Sequence, residues 1–169
     1  IDDHAPLTHA LADGAASGTR VLAIYCLEPS WFEPGRLCRL PGRNGLSKIG
    51  SFRARFLLDA LADLRGRLAK LGVPLLVLRL PADAAFTKLL NRLTLRGVHY
   101  HQVPIHEEQA QEHAVLRRLQ AAQVPSTAHW GHTLVDFARL PYAQDKLPKQ
   151  FTPFRHTIEK LRPYAEPLP

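Results

Sequence analysis

Apolar residues fall along this chain in two rhythms that alternate from one end to the other. Short, nearly continuous apolar runs mark strands: Val21-Leu22-Ala23-Ile24-Tyr25-Cys26 is the clearest, followed by Leu75-Leu76-Val77-Leu78, Val98-His99-Tyr100-His101 and the more polar Ser126-Thr127-Ala128-His129-Trp130. Continuous apolar character in the first two predicts strands covered on both faces, as in a parallel sheet. Between the runs the apolar positions recur every three or four residues. In the segment 51–71, Leu57, Leu61, Leu64, Leu68 and Leu71 share one helical face; Ser51 is a natural N-cap, and Gly72 with Pro74 ends the helix. Further helices are predicted over 6–13, capped by Asp3 or His4 and stopped by Gly14, and over 82–93, 107–122 and 152–161. The last carries Phe151, Phe154, Ile158 and Leu161 on one stripe. The segment from Glu33 to Ser47, with Pro34, Gly35, Pro41, Gly42 and Gly45, reads as a long surface loop.

Helices alternating with strands predict an α/β fold: a doubly wound, mostly parallel five-stranded sheet with helices on both faces. The first strand of such a sheet is normally central, yet this chain opens on a helix. A sheet without its middle strand leaves two rows of backbone donors and acceptors unpaired. The pattern therefore predicts a strand upstream of Ile1. The absence of methionine from all 169 residues points the same way, to a segment of a longer protein. Residues 1–162 form one domain, and Pro163, Pro167 and Pro169 mark 163–169 as the start of a linker.

Composition adds less. Apolar residues at 46% and charged residues at 22% are ordinary for a globular domain with one sizeable core. No run reaches the ~18 apolar residues of a membrane span, and the polar N-terminus is unlike a signal peptide. Cys26 and Cys38 are too few for a disulfide framework and read as free thiols in a reducing cytoplasm. The net charge of +7 favours an anionic partner, but Arg65, Arg67, Lys70, Arg117 and Arg118 are spread over helix faces rather than massed. Nine histidines raise a metal site. His99 and His101 point to one side of a strand, and His129 and His132 are three apart, but Cys-x-x-Cys and His-Glu-x-x-His are absent. Strand histidines with hydrogen-bond partners are the reading taken, with no metal. Gly-x-Ser-x-Gly, the dinucleotide fingerprint and the phosphate loop are missing, so nothing supports nucleophilic catalysis or nucleotide binding.

Four blocks carry a family resemblance. They are Asp3-His4-Ala5-Pro6-Leu7, Val21 through Pro29, Lys48-Ile49-Gly50-Ser51-Phe52-Arg53-Ala54-Arg55-Phe56 running on to Leu68, and Trp130-Gly131-His132-Thr133-Leu134 with Leu147-Pro148-Lys149-Gln150-Phe151-Thr152-Pro153-Phe154-Arg155. In this order they resemble the amino-terminal α/β half of the DNA photolyase and cryptochrome family, with the DASH-type branch nearest. The chain departs from the family in lacking the first strand and its turn, in ending its second strand candidate with Arg79-Leu80-Pro81 where a glycine turn is usual, and in a longer segment ahead of Lys48.

The resemblance implies a Rossmann-like light-harvesting (antenna) domain. It would hold methenyltetrahydrofolate beside a helical FAD domain of the same protein. The full-length protein would use blue light to repair pyrimidine dimers in single-stranded DNA, where extruding the dimer is easiest. The fragment alone would not be catalytic. Site residues implied by the resemblance are Glu107, matching the folate-binding glutamate, with Glu108, His101 and Gln102 around it, and Lys48 and Arg53 at the entry of the signature helix. Independently, the loop 101–108 lies at the carboxyl end of a strand, where α/β sheets bind ligands. A carboxylate there could accept a pterin N–H and amino group together; a glutamate in a first helical turn also simply favours the macrodipole. The rival function class is a non-catalytic interaction or DNA-associated module of a cryptochrome-like sensor, with no antenna.

Overall fold

The computed structural model describes residues 3–33 and 47–168. Most of the loop predicted at 33–47 lies outside the described residues, as does Cys38. Among the described residues are six helices and four strands: α1 (Ala5–Ser17), β1 (Ala23–Cys26), α2 (Pro29–Phe32), α3 (Ser51–Lys70), β2 (Leu75–Leu78), α4 (Ala82–Leu90), β3 (Val98–His101), α5 (His106–Ala121), β4 (Ser126–His129) and α6 (Phe151–Leu161). Two short 3-10 turns, Phe137–Arg139 and Gln144–Lys146, precede α6.

All four predicted strands are present, and they pair in parallel. The α/β class is as expected, but among the described residues the strands form two separate pairs rather than one continuous sheet. β1 lies on β2 with Ala23 opposite Leu75, and β3 lies on β4 with Val98 opposite Ser126. A cavity of about 960 Å³ separates β1 from β3, with α1 along it. That gap leaves β1 and β3 half-buried despite the apolar sequence of β1, and β2, at the edge of its pair, is half-buried as well.

Local chemistry sets the helix boundaries. His4 caps α1, its Nδ1 accepting from the Leu7 N–H at 3.1 Å, while the Asp3 carboxylate accepts from the Leu168 N–H at 2.9 Å. The expected stop at Gly14 is incorrect. The helix runs three residues further, and Gly18, at φ 65°, ends it in the left-handed conformation. Gly14 is there for close packing: a Cβ would stand 2.9 Å from the Thr19 carbonyl oxygen and 3.1 Å from the Val21 side chain. Gly50, not Ser51, is the N-cap of α3. α4 ends at Leu90 instead of 93, where Asn91 turns the chain. Its start has a remote cap. Pro81 at the N-cap has no capping side chain, and buried Glu28, from the loop after β1, accepts the Ala82 N–H at 2.9 Å.

The core is small and lies between helices and strands. Leu61 and Leu68 of α3, Ala85 and Leu89 of α4, Leu119 of α5, Ile158 of α6 and Val73 are buried. α3 packs on β2, α4 on α5, and α1 across β3 and β4. The predicted α6 stripe divides: Ile158 is buried, whereas Phe151 is 71% exposed and Leu161 faces outward too. The tail after α6 has no regular structure but is held, since Arg139 Nη1 donates to the Tyr164 carbonyl at 3.1 Å and the Asp3 N–H to that of Leu168 at 3.2 Å.

Two glycine-to-alanine changes should separate packing from propensity. Gly14→Ala meets backbone and is expected to destabilise by about 1–3 kcal/mol. Gly66→Ala, inside α3 with nothing within 4 Å of the added carbon, is expected to stabilise by about 0.5–1 kcal/mol. Thermal or urea unfolding of the two variants reads both signs.

Candidate functional site

The carboxyl end of β3 is where polar chemistry gathers. β3 delivers His99 and His101 to one face two residues apart. α1 packs across that face and brings His4 and His9. β4 adds His129, and the turn after it adds His132.

The result is a layer of six imidazoles. His99 Nδ1 lies 3.1 Å from His129 Nε2, and His99 Nε2 lies 3.0 Å from the Asp13 carboxylate. His9 stacks on His129 at 4.9 Å between centroids. His4 meets His101 edge-on at 4.7 Å, and His132 stands 5.9 Å from His101. Of the strand histidines, His99 and His129 have hydrogen-bond partners, as expected, whereas His101 Nδ1 does not. Among the described residues, no group of three or more His, Cys, Asp or Glu side chains is arranged to hold a metal ion.

The turn after β4 closes over His101. Trp130 Nε1 donates to Thr133 Oγ1 at 2.5 Å, and that hydroxyl donates to the Val135 carbonyl at 2.6 Å. Gly131 sits directly against the His101 ring, so close that a Cβ would come within 2.6 Å of Nδ1. The spacing of Trp130, Gly131 and Thr133 therefore has a local purpose. The Trp–Thr bond shapes the turn, and the glycine leaves room for the imidazole.

α5 starts five residues beyond His101 and is tied back to β3 by the Tyr100 hydroxyl, which donates to Glu112 Oε1 at 3.2 Å. The Gln102 N–H extends the β3–β4 ladder, donating to the His129 carbonyl at 3.0 Å, and its residue is exposed. Glu107 is the second residue of α5, and its side chain lies outside the described part of the structure. Glu108 is half-buried in the same first turn. Its Oε2 and the Nδ1 of His101 are buried polar atoms without a hydrogen-bond partner. Lys48 and Arg53 are exposed at the entry of α3, which packs on β2 in the other strand pair. Arg55, one turn into that helix, pairs with Asp59 at 3.0 Å on the surface.

Burial holds the His101 imidazole below its ordinary value of 6.5. Burial also lowers His4, helped by the neighbouring His101, and lowers His129, where His9 and His99 add to the effect. What the residue pattern did not show is the part played by α1. His9 and Asp13 are four apart, which places both on the helix face that meets β3, and that spacing was the available signal.

The comparisons with known proteins agree with this architecture. The DNA photolyase family model matches residues 1–169. The chain belongs to the DNA photolyase family. The cryptochrome DASH of Gloeobacter violaceus is 38% identical over 169 residues, covering 100% of this chain and 32% of that protein. The cryptochrome DASH of Synechocystis sp. is 29% identical, over 96% of this chain and 31% of its own length. The crystal structure of a Synechocystis cryptochrome superposes with a TM-score of 0.85 at 28% identity, covering 99% of this chain and 32% of that one. A photolyase from Sulfolobus tokodaii, solved with two FAD molecules, shares the fold with a TM-score of 0.69 at 18% identity. The chain spans about a third of the length of the curated relatives it matches. Among the described residues no helix is long and apolar enough to cross a membrane.

The histidine layer makes stability pH-dependent in a defined direction. His4, His101 and His129 have folded-state values below 6.5, so near and below that pH the unfolded chain binds more protons. Stability is complete above 6.5 and is lost as pH falls through it. The melting temperature should drop between about pH 7.5 and about pH 5.5. His4→Asn, which keeps a capping side chain, combined with His129→Asn, should flatten that slope. An unchanged slope in the double variant would show that other groups carry it.

Proposed function

We propose that this chain is the light-harvesting α/β domain of a DASH-type cryptochrome, with residues 163–169 leading toward a helical FAD domain of the same protein. It would hold a folate-type chromophore at the β3–α5 connection. The observation that carries the reading is Glu108, whose half-buried carboxylate keeps one oxygen without a partner beside the strand end where α/β sheets take ligands. A buried carboxylate oxygen is costly to leave unpaired. A pterin ring offers an N–H and an amino group side by side, which match a carboxylate.

When bound, methenyltetrahydrofolate would supply near-ultraviolet absorption whose energy passes to reduced FAD. The chain's own residues bind and orient. Glu108 would accept the pterin donors, with Glu107 beside it in the first turn. His101, whose charged form burial disfavours, is packed against Gly131 and would back this end of the strand. The α5 N-terminus favours the glutamate charges. Lys48 and Arg53 are placed with the other strand pair and serve the docking side in this reading.

Both α3 and α6 expose aromatic side chains. Phe52 is 93% exposed and Phe56 is 74% exposed one turn apart on α3, and Phe151 stands outward on α6. Exposed aromatics of this kind are suited to burial against further protein, and roughly two thirds of the relative's length lies outside the part this segment matches. Repair of pyrimidine dimers in single-stranded DNA is proposed for the full-length protein.

The test is a titration of the full-length, FAD-loaded protein with methenyltetrahydrofolate, followed by absorbance after gel filtration. A near-ultraviolet band should be retained, and Glu108→Gln should weaken retention at least about tenfold, leaving the flavin spectrum and melting temperature unchanged. A band retained equally by Glu108→Gln and by the Glu107→Gln, Glu108→Gln double variant would overturn the site. No retained band in the unaltered protein would favour an interaction module without an antenna.

A further inference from the structure

The cap of α1 is sensitive to protons. His4 closes the helix with Nδ1, which accepts from the Leu7 N–H at 3.1 Å, and its carbonyl accepts from the N–H groups of Leu7 and Thr8, each at 3.0 Å. The residues favoured at this position, Asn, Asp, Ser and Thr, keep an acceptor oxygen at neutral and mildly acidic pH. An imidazole does not. A neutral ring has one N–H and one bare nitrogen, and a protonated ring has no acceptor at all. The Leu7 bond therefore fixes His4 as the tautomer with its hydrogen on Nε2, and a proton arriving at Nδ1 removes the side-chain cap.

That proton also brings charge to the wrong end of the helix. A helix amino terminus disfavours cations, and the first turn of α1 holds no acidic residue to offset one. The groups whose charge bears on His4 are His101, edge-on at 4.7 Å, and the chain's α-amino group, and both oppose a further positive charge. His132, 5.9 Å from His101, opposes a charge there in turn. Nearby carboxylates are engaged elsewhere: Asp3 by the Leu168 N–H at 2.9 Å, and Glu112 of α5 by the Tyr100 hydroxyl. The cavity that His4 lines also carries Arg20, Cys26, Arg96 and Tyr100, and its one carboxylate, Asp13, belongs to His99. Burial likewise holds His4 below 6.5.

Farther along α1 a proton has the opposite effect. Asp13 accepts from His99 Nε2 at 3.0 Å, so neutral His99 leaves Nδ1 bare, and His129 Nε2 donates to it at 3.1 Å. This chain of bonds has room for one more proton. When His99 Nδ1 takes it, His129 moves its own hydrogen to the other nitrogen and its Nε2 becomes the acceptor. Both links survive, and the one to Asp13 becomes charge-assisted. Only a second proton sets two N–H groups against each other. His9, one turn before Asp13, stacks on His129 at 4.9 Å and adds to the grip. A single proton thus undoes the amino end of α1, or strengthens the hold nearer its carboxyl end.

We infer that His4 is a proton-operated latch: its neutral imidazole caps α1 and seats the helix against the carboxyl end of β3, and its protonation frees the first turn of α1 while Asp13 and the His99–His129 pair keep the rest of the helix on the sheet. The helix opens from one end, uncovering His101. This is a local opening, distinct from the loss of global stability with falling pH, and it stands independently of any chromophore.

The experiment follows this chain by nuclear magnetic resonance between about pH 7.5 and about pH 5. The His4 ring nitrogens should show a bare Nδ1 at the upper end, and the Leu7 amide shift should move with the same midpoint as the ring, below 6.5. Amide protection is read at Leu7 and Thr8 relative to Thr19, whose N–H donates to the Gly14 carbonyl at 2.9 Å near the other end of the helix. That ratio should fall at least about fivefold across the range. His4→Asn keeps an acceptor oxygen and should make the ratio independent of pH, and His4→Asp should move the change down to the carboxylate range, at about 4. A ratio that stays constant in the unaltered chain, the same fall in His4→Asn, or an equal fall at Thr19 would each overturn the inference.

Discussion

Backbone amides in a parallel strand need a neighbour on each side, and this constraint organises the molecule. β1 and β3 each satisfy one edge, through β2 and β4, and leave the other facing a common apolar space. The half-buried state of β1 and β3 and the separation of the strand pairs go with this unmet pairing. What holds the halves in one domain is helical packing: α4 against α5, α1 across β3 and β4, and the Glu28 carboxylate reaching from the end of β1 to the start of α4.

The candidate site lies on the better-defined half of this arrangement. β3 sets the spacing of His99 and His101, α1 covers them, and the turn at Gly131 closes the end. Burial disfavours the charged forms of His4, His101 and His129. The closed end of the histidine layer and the first turn of α5 hold two buried polar atoms without a partner, His101 Nδ1 and Glu108 Oε2.

Much of the fold was legible because local signals and tertiary structure agreed. β2 and β3 lie at the residues their apolar runs mark, and the leucine spacing of α3 correctly gave Leu61 and Leu68 as core. The failures have physical causes. Gly14 reads as a helix stop, but its missing side chain serves the close approach of Thr19 and Val21, a tertiary requirement with no local mark. Ser51 reads as a cap, but the chain enters α3 with Gly50 in the extended conformation. In α6 the apolar stripe showed which residues share a face, yet not that Phe151 would point outward while Ile158 is buried. The site was legible as a loop at a strand end. The six-histidine layer was not, because it needs α1, β3 and β4 to meet, and sequence spacing records only neighbours on one element.

The most direct measurement of the central claim is hydrogen exchange at the amides of Ile24, Cys26, His99 and His101, compared with those of Val98 and Gln102. Unmet pairing predicts fast exchange at the first four and protection at Val98 and Gln102. Equal protection of all of them in the chain by itself would mean that its strands already satisfy one another, and would contradict the account.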